Sequence, residues 1–228
     1  MADLYDRRGL VLGAGAFGLT VPLLAGACAR RRPAASGKGR LIAGDTCPVT
    51  PSQTEGPFYF DPKLVRPAIA EGRPGVPLRL RLQIVDAADC GALARARVDI
   101  WHCDSAGQYS GYDSERSAGE SFLRGTQFAD AEGIVSFSTI YPGWYGGRAA
   151  HIHCKAWAGD GREVTSQIYF PDALSDVVYG QAAYAERDGA RRLRNGDDGI
   201  FRRAGAAMLA ETRPAADGYD GAIVIALT

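Results

Sequence analysis

The chain has 228 residues, of which 46% are hydrophobic and 23% charged, a composition that excludes a disordered or fibrous protein. This length allows one sizeable hydrophobic core. Lysine and arginine together number 26, as do aspartate and glutamate, so the formal net charge is zero. Proteins that bind nucleic acid usually have a basic excess, and the balanced charge therefore indicates no nucleic-acid partner. Histidine is scarce and is confined to His102, His151 and His153.

The first 29 residues have the features of a bacterial export signal. Arg7 and Arg8 precede an uncharged run over 9–27 that contains several glycines, and more arginines follow it. This order resembles a twin-arginine signal, although Asp6 stands where Ser or Thr is usual. A transmembrane helix is the alternative, because the run is near the length that spans a bilayer, but its glycines disfavour that alternative. We therefore expect an exported protein that is extracellular, periplasmic or anchored to a membrane.

The end of the signal permits two kinds of processing. The sequence Ala-Cys-Ala over 27–29 fits a cleavage site, whereas Cys28 also lies in a run that resembles a lipoprotein box and could carry a lipid anchor. Residues 30–45 are basic and rich in small side chains, which is typical of a linker. We therefore divide the chain into an export signal over 1–29, a linker over 30–45 and a folded domain over 46–228.

Four cysteines lie in the predicted folded domain, apart from the one at the end of the signal. An exported chain with four cysteines can form up to two disulfides, and three pairings are possible. Free buried thiols, which pack as small hydrophobic groups, are the alternative. The cysteines are Cys47, Cys90, Cys103 and Cys154.

From about Cys47 onward the chain has the pattern of one β-rich domain. Short runs alternate apolar and polar residues as half-buried strands do, and clusters rich in Gly, Asp and Ser separate them. Many short strands with turns between them favour a sandwich or a barrel. One helical segment is predicted over 203–211. The predicted strands cover 76–87, 96–104, 133–140, 149–158, 163–170 and 221–227.

Two histidines are separated by a single residue in one predicted strand. His151 and His153 therefore project from the same face of the strand over 149–158. Two imidazoles on one face can bind one metal ion, whereas a buried structural histidine is the ordinary alternative. Because two of the three histidines form this pair, we favour a role as metal ligands.

Tyrosines on two glycine-rich turns indicate which metal this would be. Tyr145 lies six residues before His151, and Tyr109 and Tyr112 lie on a turn after another predicted strand. A phenol is normally protonated, with a pKa near about 10, but a trivalent cation strongly favours the phenolate. Hard oxygen anions suit Fe(III), and two phenolates with one hydroxide would balance its charge. Two His with two Tyr are therefore a coherent ferric site; tyrosines that only pack at turns are the alternative.

Four longer motifs, in this order along the chain, resemble the intradiol ring-cleavage dioxygenases, the family of protocatechuate 3,4-dioxygenase and catechol 1,2-dioxygenase. The resemblance runs from about residue 46 to the C-terminus and includes NGDDGIF near that end. W-H-C-D and Y-P-G-W-Y resemble a secreted, single-chain branch of the family. The motifs are TEGPFYFD (54–61), DIWHCDSAGQYSGYD (99–113), FLRGTQFADAEGIVSFSTIYPGWYGGRAAHIH (122–153) and TSQIYF (165–170).

The resemblance implies a mainly β catalytic domain over 46–228, a single-domain β-sandwich with short helices and long active-site loops. It implies a non-haem Fe(III) centre held by Tyr109, Tyr145, His151 and His153, with Tyr145 displaced when a catechol binds. The implied reaction is O₂-dependent cleavage of a catechol-type ring between its two hydroxyl-bearing carbons, which gives a cis,cis-muconate without an organic cofactor.

The resemblance also implies roles for side chains around this centre. Arg148 matches the arginine that stabilises negative charge on the substrate, and Gln167 matches a glutamine that lines the same pocket. Tyr59 is a candidate substrate contact. Ala149 stands where the family usually has proline. His102 lies outside the matched ligand positions, and we expect it to be structural.

Two other functions compete with this one. Three histidines and a water can form a zinc site, so His102, His151 and His153 could belong to a secreted zinc hydrolase. A secreted β-sandwich that only binds a ligand would show similar strand patterns.

Catechol 1,2-dioxygenases have a helical dimerisation region before their core, whereas here only the predicted signal and the predicted linker precede Cys47. We therefore expect a monomer or a simple homo-oligomer.

Overall fold

The computed structural model describes most of the predicted folded domain, and these residues lie in one compact unit, Lys38–Thr228. The predicted export signal, Cys28 and most of the predicted linker lie outside the described residues. Within the described part, no helix has the length and hydropathy that a membrane crossing needs. The described residues are 41, 47, 49–61, 63–185 and 193–228.

The described residues form eight strands in two four-stranded sheets, with short helices in the C-terminal third. The strands are β1 (Pro77–Asp86), β2 (Arg97–Trp101), β3 (Arg124–Phe128), β4 (Ile134–Ile140), β5 (His151–Trp157), β6 (Glu163–Tyr169), β7 (Glu211–Pro214) and β8 (Tyr219–Leu227). The α-helices are α1 (Asp172–Tyr179), α2 (Ala182–Ala185) and α3 (Phe201–Ala204), and 3₁₀ helices cover Asp113–Glu115, Asn195–Asp197 and Gly205–Met208.

Sheet I has the strand order β4-β1-β8-β7, with β1 antiparallel to β4 and parallel to β8. Leu78, Leu80 and Leu82 point into the core at alternate positions of β1, while Arg79 and Arg81 between them are exposed. This alternation is the pattern of a strand with one solvated face. Sheet I therefore covers one side of the core and presents charge to solvent.

Sheet II has the strand order β3-β2-β5-β6 and is antiparallel throughout. The core face of β5 carries Ile152 and Cys154, which pack in the same hydrophobic cluster as the inner residues of sheet I. The outer face of β5 is also buried at His151 and His153, because the segment 51–61 and two loops cover it. The two sheets thus form a sandwich, and sheet II carries a second, polar layer outside the core.

All six strands predicted from the sequence are present, and the predicted mainly β sandwich with short helices is confirmed. Strands β3 and β7 are not predicted from the sequence, because Arg-Gly-Thr-Gln-Phe does not alternate and β7 is four residues long and ends in proline. Helix α1 is not predicted either.

The helical segment predicted over 203–211 is present over 203–208 and is wrong for its last three residues. Helix α3 ends at Ala204, a 3₁₀ helix follows, and β7 begins at Glu211. Leu209 forms a bridge with Tyr169, and the Ala210 N–H donates to the Tyr169 carbonyl over 2.9 Å. Pairing with β6 therefore overrides the helical propensity of this alanine-rich segment.

Among the described residues, Cys47 and Cys90 form one disulfide, whereas the sequence allows up to two. Cys154 is a free thiol, and both Cys154 and Cys103 are buried. Cys154 lies in the core between the sheets, and Cys103 packs in a separate cluster with Trp101. The two thiols therefore occupy different layers of the molecule. Burial raises the pKa of Cys154 to about 12, so this thiol packs as a small hydrophobic group.

Candidate metal centre

Three of the four predicted ligands converge on the outer face of sheet II. The Nε2 atoms of His151 and His153 are 3.1 Å apart, and the Tyr145 hydroxyl is 3.1 Å from His151 Nε2. The turn that carries Tyr145 leads directly into β5, which places the phenol above the two rings. His151 Nδ1 donates to the Ala149 carbonyl over 2.7 Å, so the Nε2 lone pair of the neutral ring points into the cluster.

Tyr109, the fourth predicted ligand, packs against the same cluster. Its ring centroid lies 5.7 Å from that of Tyr145 and 6.3 Å from that of His153. Phe58 stacks on its other side at 4.3 Å, and the tyrosine is 1% exposed. Within the described part of the chain, the Tyr109 hydroxyl has no hydrogen-bond partner. A buried polar oxygen without a partner costs free energy, and a bound cation would satisfy it.

Burial favours the neutral form of all four side chains. It lowers the pKa of His151 to about 3 and that of His153 well below its ordinary value, so both imidazoles are neutral. It raises the pKa of Tyr109 and of Tyr145, so both phenols keep their protons unless a cation approaches. Two neutral imidazoles and two ionisable phenols fit a hard trivalent ion such as Fe(III).

Arg148 faces this cluster from the turn between Tyr145 and β5. Its Nη1 is 3.4 Å from the Tyr145 hydroxyl and 3.3 Å from His151 Nε2. Its Nη2 contacts Gln167 Oε1 and lies 3.1 Å from the Tyr169 hydroxyl. The guanidinium is thus a fixed positive charge beside the candidate ligands.

Gln167 lies beside His153 in the sheet, since the two residues are paired in register between β5 and β6. Its amide oxygen accepts from Arg148, and its amide nitrogen donates to the Thr54 carbonyl over 2.9 Å. The structure therefore brings Gln167 and Arg148 together next to the candidate ligands.

Tyr59 packs on Trp101, which in turn stacks on His153, so it lies farther from the candidate metal centre. Its hydroxyl donates to Asp99 over 2.9 Å, and its ring packs on Trp101 at 4.7 Å. Burial and the Asp99 carboxylate raise its pKa. The Tyr112 hydroxyl donates to the Tyr59 carbonyl over 3.1 Å, so Tyr112 has a packing role. The contact of Tyr59 with substrate stays a prediction.

Several residues of the candidate site are not predicted from the sequence. Trp101 stacks on His153 with ring centroids 4.9 Å apart, and Phe58 stacks on Tyr109. Gly56 has φ +74°, and a Cβ there would lie 3.4 Å from His153 Cε1, so the covering segment passes close to the ring. The motif T-E-G-P-F-Y contains two of these residues, but the sequence does not show which aromatic faces the metal centre.

The third histidine does not join the cluster. His102 Nδ1 lies 2.8 Å from the Cys103 carbonyl, and Nε2 lies 2.8 Å from the Thr139 hydroxyl. Burial lowers the pKa of His102 to about 4. Among the described residues, no group of three or more His, Cys, Asp or Glu side chains could hold a metal ion. The three-histidine zinc site considered above is therefore not formed, and the environment of His102 is that of a structural residue.

Comparison with known proteins agrees with this geometry. A family model described as Dioxygenase matches residues 55–190. An intradiol ring-cleavage dioxygenase from Tetranychus urticae is 30% identical with a TM-score of 0.74, over 80% of this chain and 95% of that chain. The dioxygenase domain of a dioxygenase carbohydrate-binding protein fusion from Streptomyces sp. SirexAA-E is also 30% identical, with a TM-score of 0.62, over 79% of this chain and 98% of that domain.

Curated relatives are similar over a shorter part of their length. Catechol 1,2-dioxygenase 2 of Acinetobacter lwoffii is 32% identical over 162 residues, which are 61% of this chain and 57% of that protein. Catechol 1,2-dioxygenase of Acinetobacter baylyi is 32% identical over 51% of its length. The chain thus spans about half the length of the curated relatives it matches. The matched family model and the solved relatives show that this chain belongs to the intradiol ring-cleavage dioxygenase family.

Proposed function

We propose that this chain is a non-haem Fe(III) dioxygenase that cleaves catechol-type rings between the two hydroxyl-bearing carbons with O₂ and releases cis,cis-muconate products. The observation that carries the proposal is the cluster of Tyr145, His151 and His153, with contacts of 3.1 Å, beside the unpartnered hydroxyl of Tyr109. Membership of the intradiol family and the names of the catechol 1,2-dioxygenase relatives support the substrate class.

In this proposal, Tyr109, Tyr145, His151 and His153 hold the ion. Ferric iron bound there would act as a Lewis acid toward both catechol oxygens and would draw electron density from the ring. The chain itself supplies two neutral nitrogens from β5 and two phenol oxygens from the covering loops. Trp101 and Phe58 enclose these donors with aromatic surface, which limits the access of water.

Tyr145 and Arg148 would have different roles in the reaction, proton transfer and charge stabilisation respectively. The Tyr145 oxygen, as a phenolate, can accept a proton from an incoming catechol hydroxyl. Arg148 Nη1, 3.4 Å from that oxygen, stabilises the negative charge that develops on the substrate. Gln167 Oε1 accepts from Nη2 of the same guanidinium and so helps to orient it toward the substrate.

The experiment is turnover of catechol in ¹⁸O₂ by the purified, iron-loaded chain, with product analysis by mass spectrometry. We expect cis,cis-muconate that carries both oxygen atoms of one O₂ molecule. Tyr145→Phe should lower kcat by about 100-fold or more, because the proton acceptor is lost. Tyr112→Phe is the matched control, since its hydroxyl bonds the Tyr59 carbonyl, and kcat should change by less than about twofold.

A protein that only binds a ligand would release no product, and a hydrolase would consume no O₂. Either result contradicts the proposal. Equal kcat values in Tyr145→Phe and Tyr112→Phe would remove Tyr145 from the mechanism while leaving the ring cleavage itself in place.

We also propose that the chain is exported by a twin-arginine-type pathway, that Cys28 can carry a lipid anchor, and that the mature protein is a monomer or a simple homo-oligomer. The Cys47–Cys90 disulfide supports export, because disulfides persist in oxidising compartments. Replacing Arg7 and Arg8 by lysine should retain the protein in the cytoplasm, and Cys28→Ser should release any membrane-anchored fraction. An unchanged distribution in cell fractions would contradict export or anchoring respectively.

A further inference from the structure

Asp198 is a buried carboxylate in the NGDDGIF segment, beyond the residues that the family model matches. Its two oxygens have separate tasks. One oxygen, Oδ2, accepts from Arg148 Nε and from the Ala149 N–H, each over 2.9 Å. The other, Oδ1, accepts from the N–H groups of Ile200 and Phe201 at the start of α3, over 2.8 and 3.3 Å. Asp198 therefore joins the α3 segment to the turn that leads into β5.

Among the described residues, Asp198 is the one ion-pair partner of Arg148, whose side chain is 15% exposed. A buried guanidinium without a carboxylate is costly, so removal of Asp198 would leave Arg148 free to turn toward another anion or toward solvent. The other side chains that Arg148 contacts are uncharged: Tyr145, His151, Gln167 and Tyr169.

The contacts also fix which edge of the guanidinium faces the metal centre. Asp198 takes Nε, which leaves Nη1 toward Tyr145 and His151 and Nη2 toward Gln167. Because the guanidinium is planar and rigid, holding one nitrogen orients the other two. We propose that Asp198 is a positioning residue that aims Arg148 at the metal centre and ties down the turn before the two histidines. The inference rests on the proposed function, because it assigns a task to the same site.

The same carboxylate oxygen also holds the backbone of the turn. The Ala149 N–H donates to Asp198 Oδ2, the oxygen that accepts from Arg148 Nε. Two bonds to one buried oxygen thus fix the chain one residue after Arg148 and two residues before His151.

The test compares Asp198→Asn with Asp197→Asn in the iron-loaded full chain. Asp197 is the adjacent residue and is exposed, so it controls for the loss of a charge in the same segment. We expect Asp198→Asn to lower kcat by about 10- to 100-fold, the usual range for a residue that orients a catalytic group. Iron content, the visible absorption band and the Kd for catechol measured without O₂ should stay within about twofold of wild type, because the ligands are intact.

A double-mutant cycle shows whether Asp198 acts through Arg148. In an Arg148→Gln background, Asp198→Asn should change kcat by less than about twofold. Asp198→Glu is the second variant: it keeps the charge but displaces it by one methylene, and we expect a loss of about tenfold in kcat with the absorption band unchanged. An equal loss from Asp198→Asn in both backgrounds, or a wild-type kcat in Asp198→Asn or Asp198→Glu, would overturn the proposal.

Failure of the proposed function is a separate result. In that case the wild-type chain itself would show no turnover of catechol, and the role of Asp198 would fall with it. Wild-type turnover together with identical kcat values for Asp198→Asn and Asp197→Asn would refute only the positioning role.

Discussion

The two sheets of the sandwich have the same number of strands but differ in the solvent exposure of their outer faces. On sheet I, the outer residues Arg79 and Arg81 of β1 are exposed to solvent. On sheet II, the outer residues His151 and His153 of β5 are 2% exposed, beneath the segment 51–61 and the loops that carry the tyrosines. Burial of polar side chains outside the core is costly unless they are paired. The burial of polar side chains on the covered face of sheet II is therefore explained by a role in function and not by packing of the core.

The register of the strands determines which side chains are neighbours on this covered face. One row crosses all four strands of sheet II, because Arg124 pairs with Trp101, Trp101 with His153, and His153 with Gln167. The row contains a buried arginine, a stacking tryptophan, a candidate iron ligand and a glutamine of the pocket. On sheet I, the corresponding inner rows hold the aliphatic side chains of the core. Sheet I contributes to the core of the domain, and sheet II contributes to the same core and also carries residues of the proposed metal centre.

The largest expected effect is on the covered face of sheet II. His153→Gln should abolish most iron binding and lower kcat by about 1,000-fold, or about 4 kcal/mol, because one of the four proposed ligands is lost. Iron content by elemental analysis and kcat with catechol measure this effect. Ser136→Ala, at an exposed outer position of β4 in sheet I, should change neither. Full iron content and turnover in His153→Gln would contradict the division between the two sheets.

The next effect concerns the core of sheet I. Leu82 is fully buried on β1, between β4 and β8. Leu82→Ala should lower the free energy of unfolding by about 3 kcal/mol, because it removes buried apolar contacts and leaves a cavity. Denaturant unfolding measures this loss, while iron content and kcat well below the transition should stay at wild-type values. A loss of activity without a loss of stability would contradict the scaffold role of sheet I.

His102 contributes an effect on stability that depends on pH and is small near neutral pH. Its pKa is about 4 in the folded protein and near about 6.5 in the unfolded chain, so the unfolded state binds the proton first as pH falls. This residue should therefore remove about 1.4 kcal/mol of stability for each pH unit between about pH 6.5 and pH 4. Denaturant unfolding of the iron-loaded protein across this range should show a shallower pH dependence for His102→Gln. An identical slope in both proteins would contradict a buried, neutral His102.

The smallest expected effect concerns Tyr59, which lies outside the candidate metal centre. Tyr59→Phe removes the hydrogen bond to Asp99 and should lower the free energy of unfolding by about 1 kcal/mol. Because the hydroxyl bonds Asp99, we expect the KM for catechol to stay within about twofold. A raised KM with unchanged stability would instead show that the hydroxyl contacts substrate. A substrate contact through the ring survives the substitution.

The sandwich and the placement of His151 and His153 on one face could be predicted because both depend on local patterns, whereas the resemblance to the intradiol dioxygenases implied the ligand roles of Tyr109 and Tyr145. Alternation identifies β1 and β5, and the spacing of His151 and His153 places both rings on one face. The stacking of Trp101 on His153 depends on register between strands, which local patterns do not specify. Asp198 lies 50 residues from Arg148 along the chain, so only the fold brings the two together.

The central claim is that the covered face of sheet II holds Fe(III) with two tyrosinates, and a visible absorption spectrum tests it most directly. The purified, iron-loaded chain would be measured before and after catechol is added in the absence of O₂. We predict a broad charge-transfer band from tyrosinate to Fe(III), with a red-brown colour, that shifts when catechol binds. An iron-loaded sample that stays colourless would contradict ligation by Tyr109 and Tyr145.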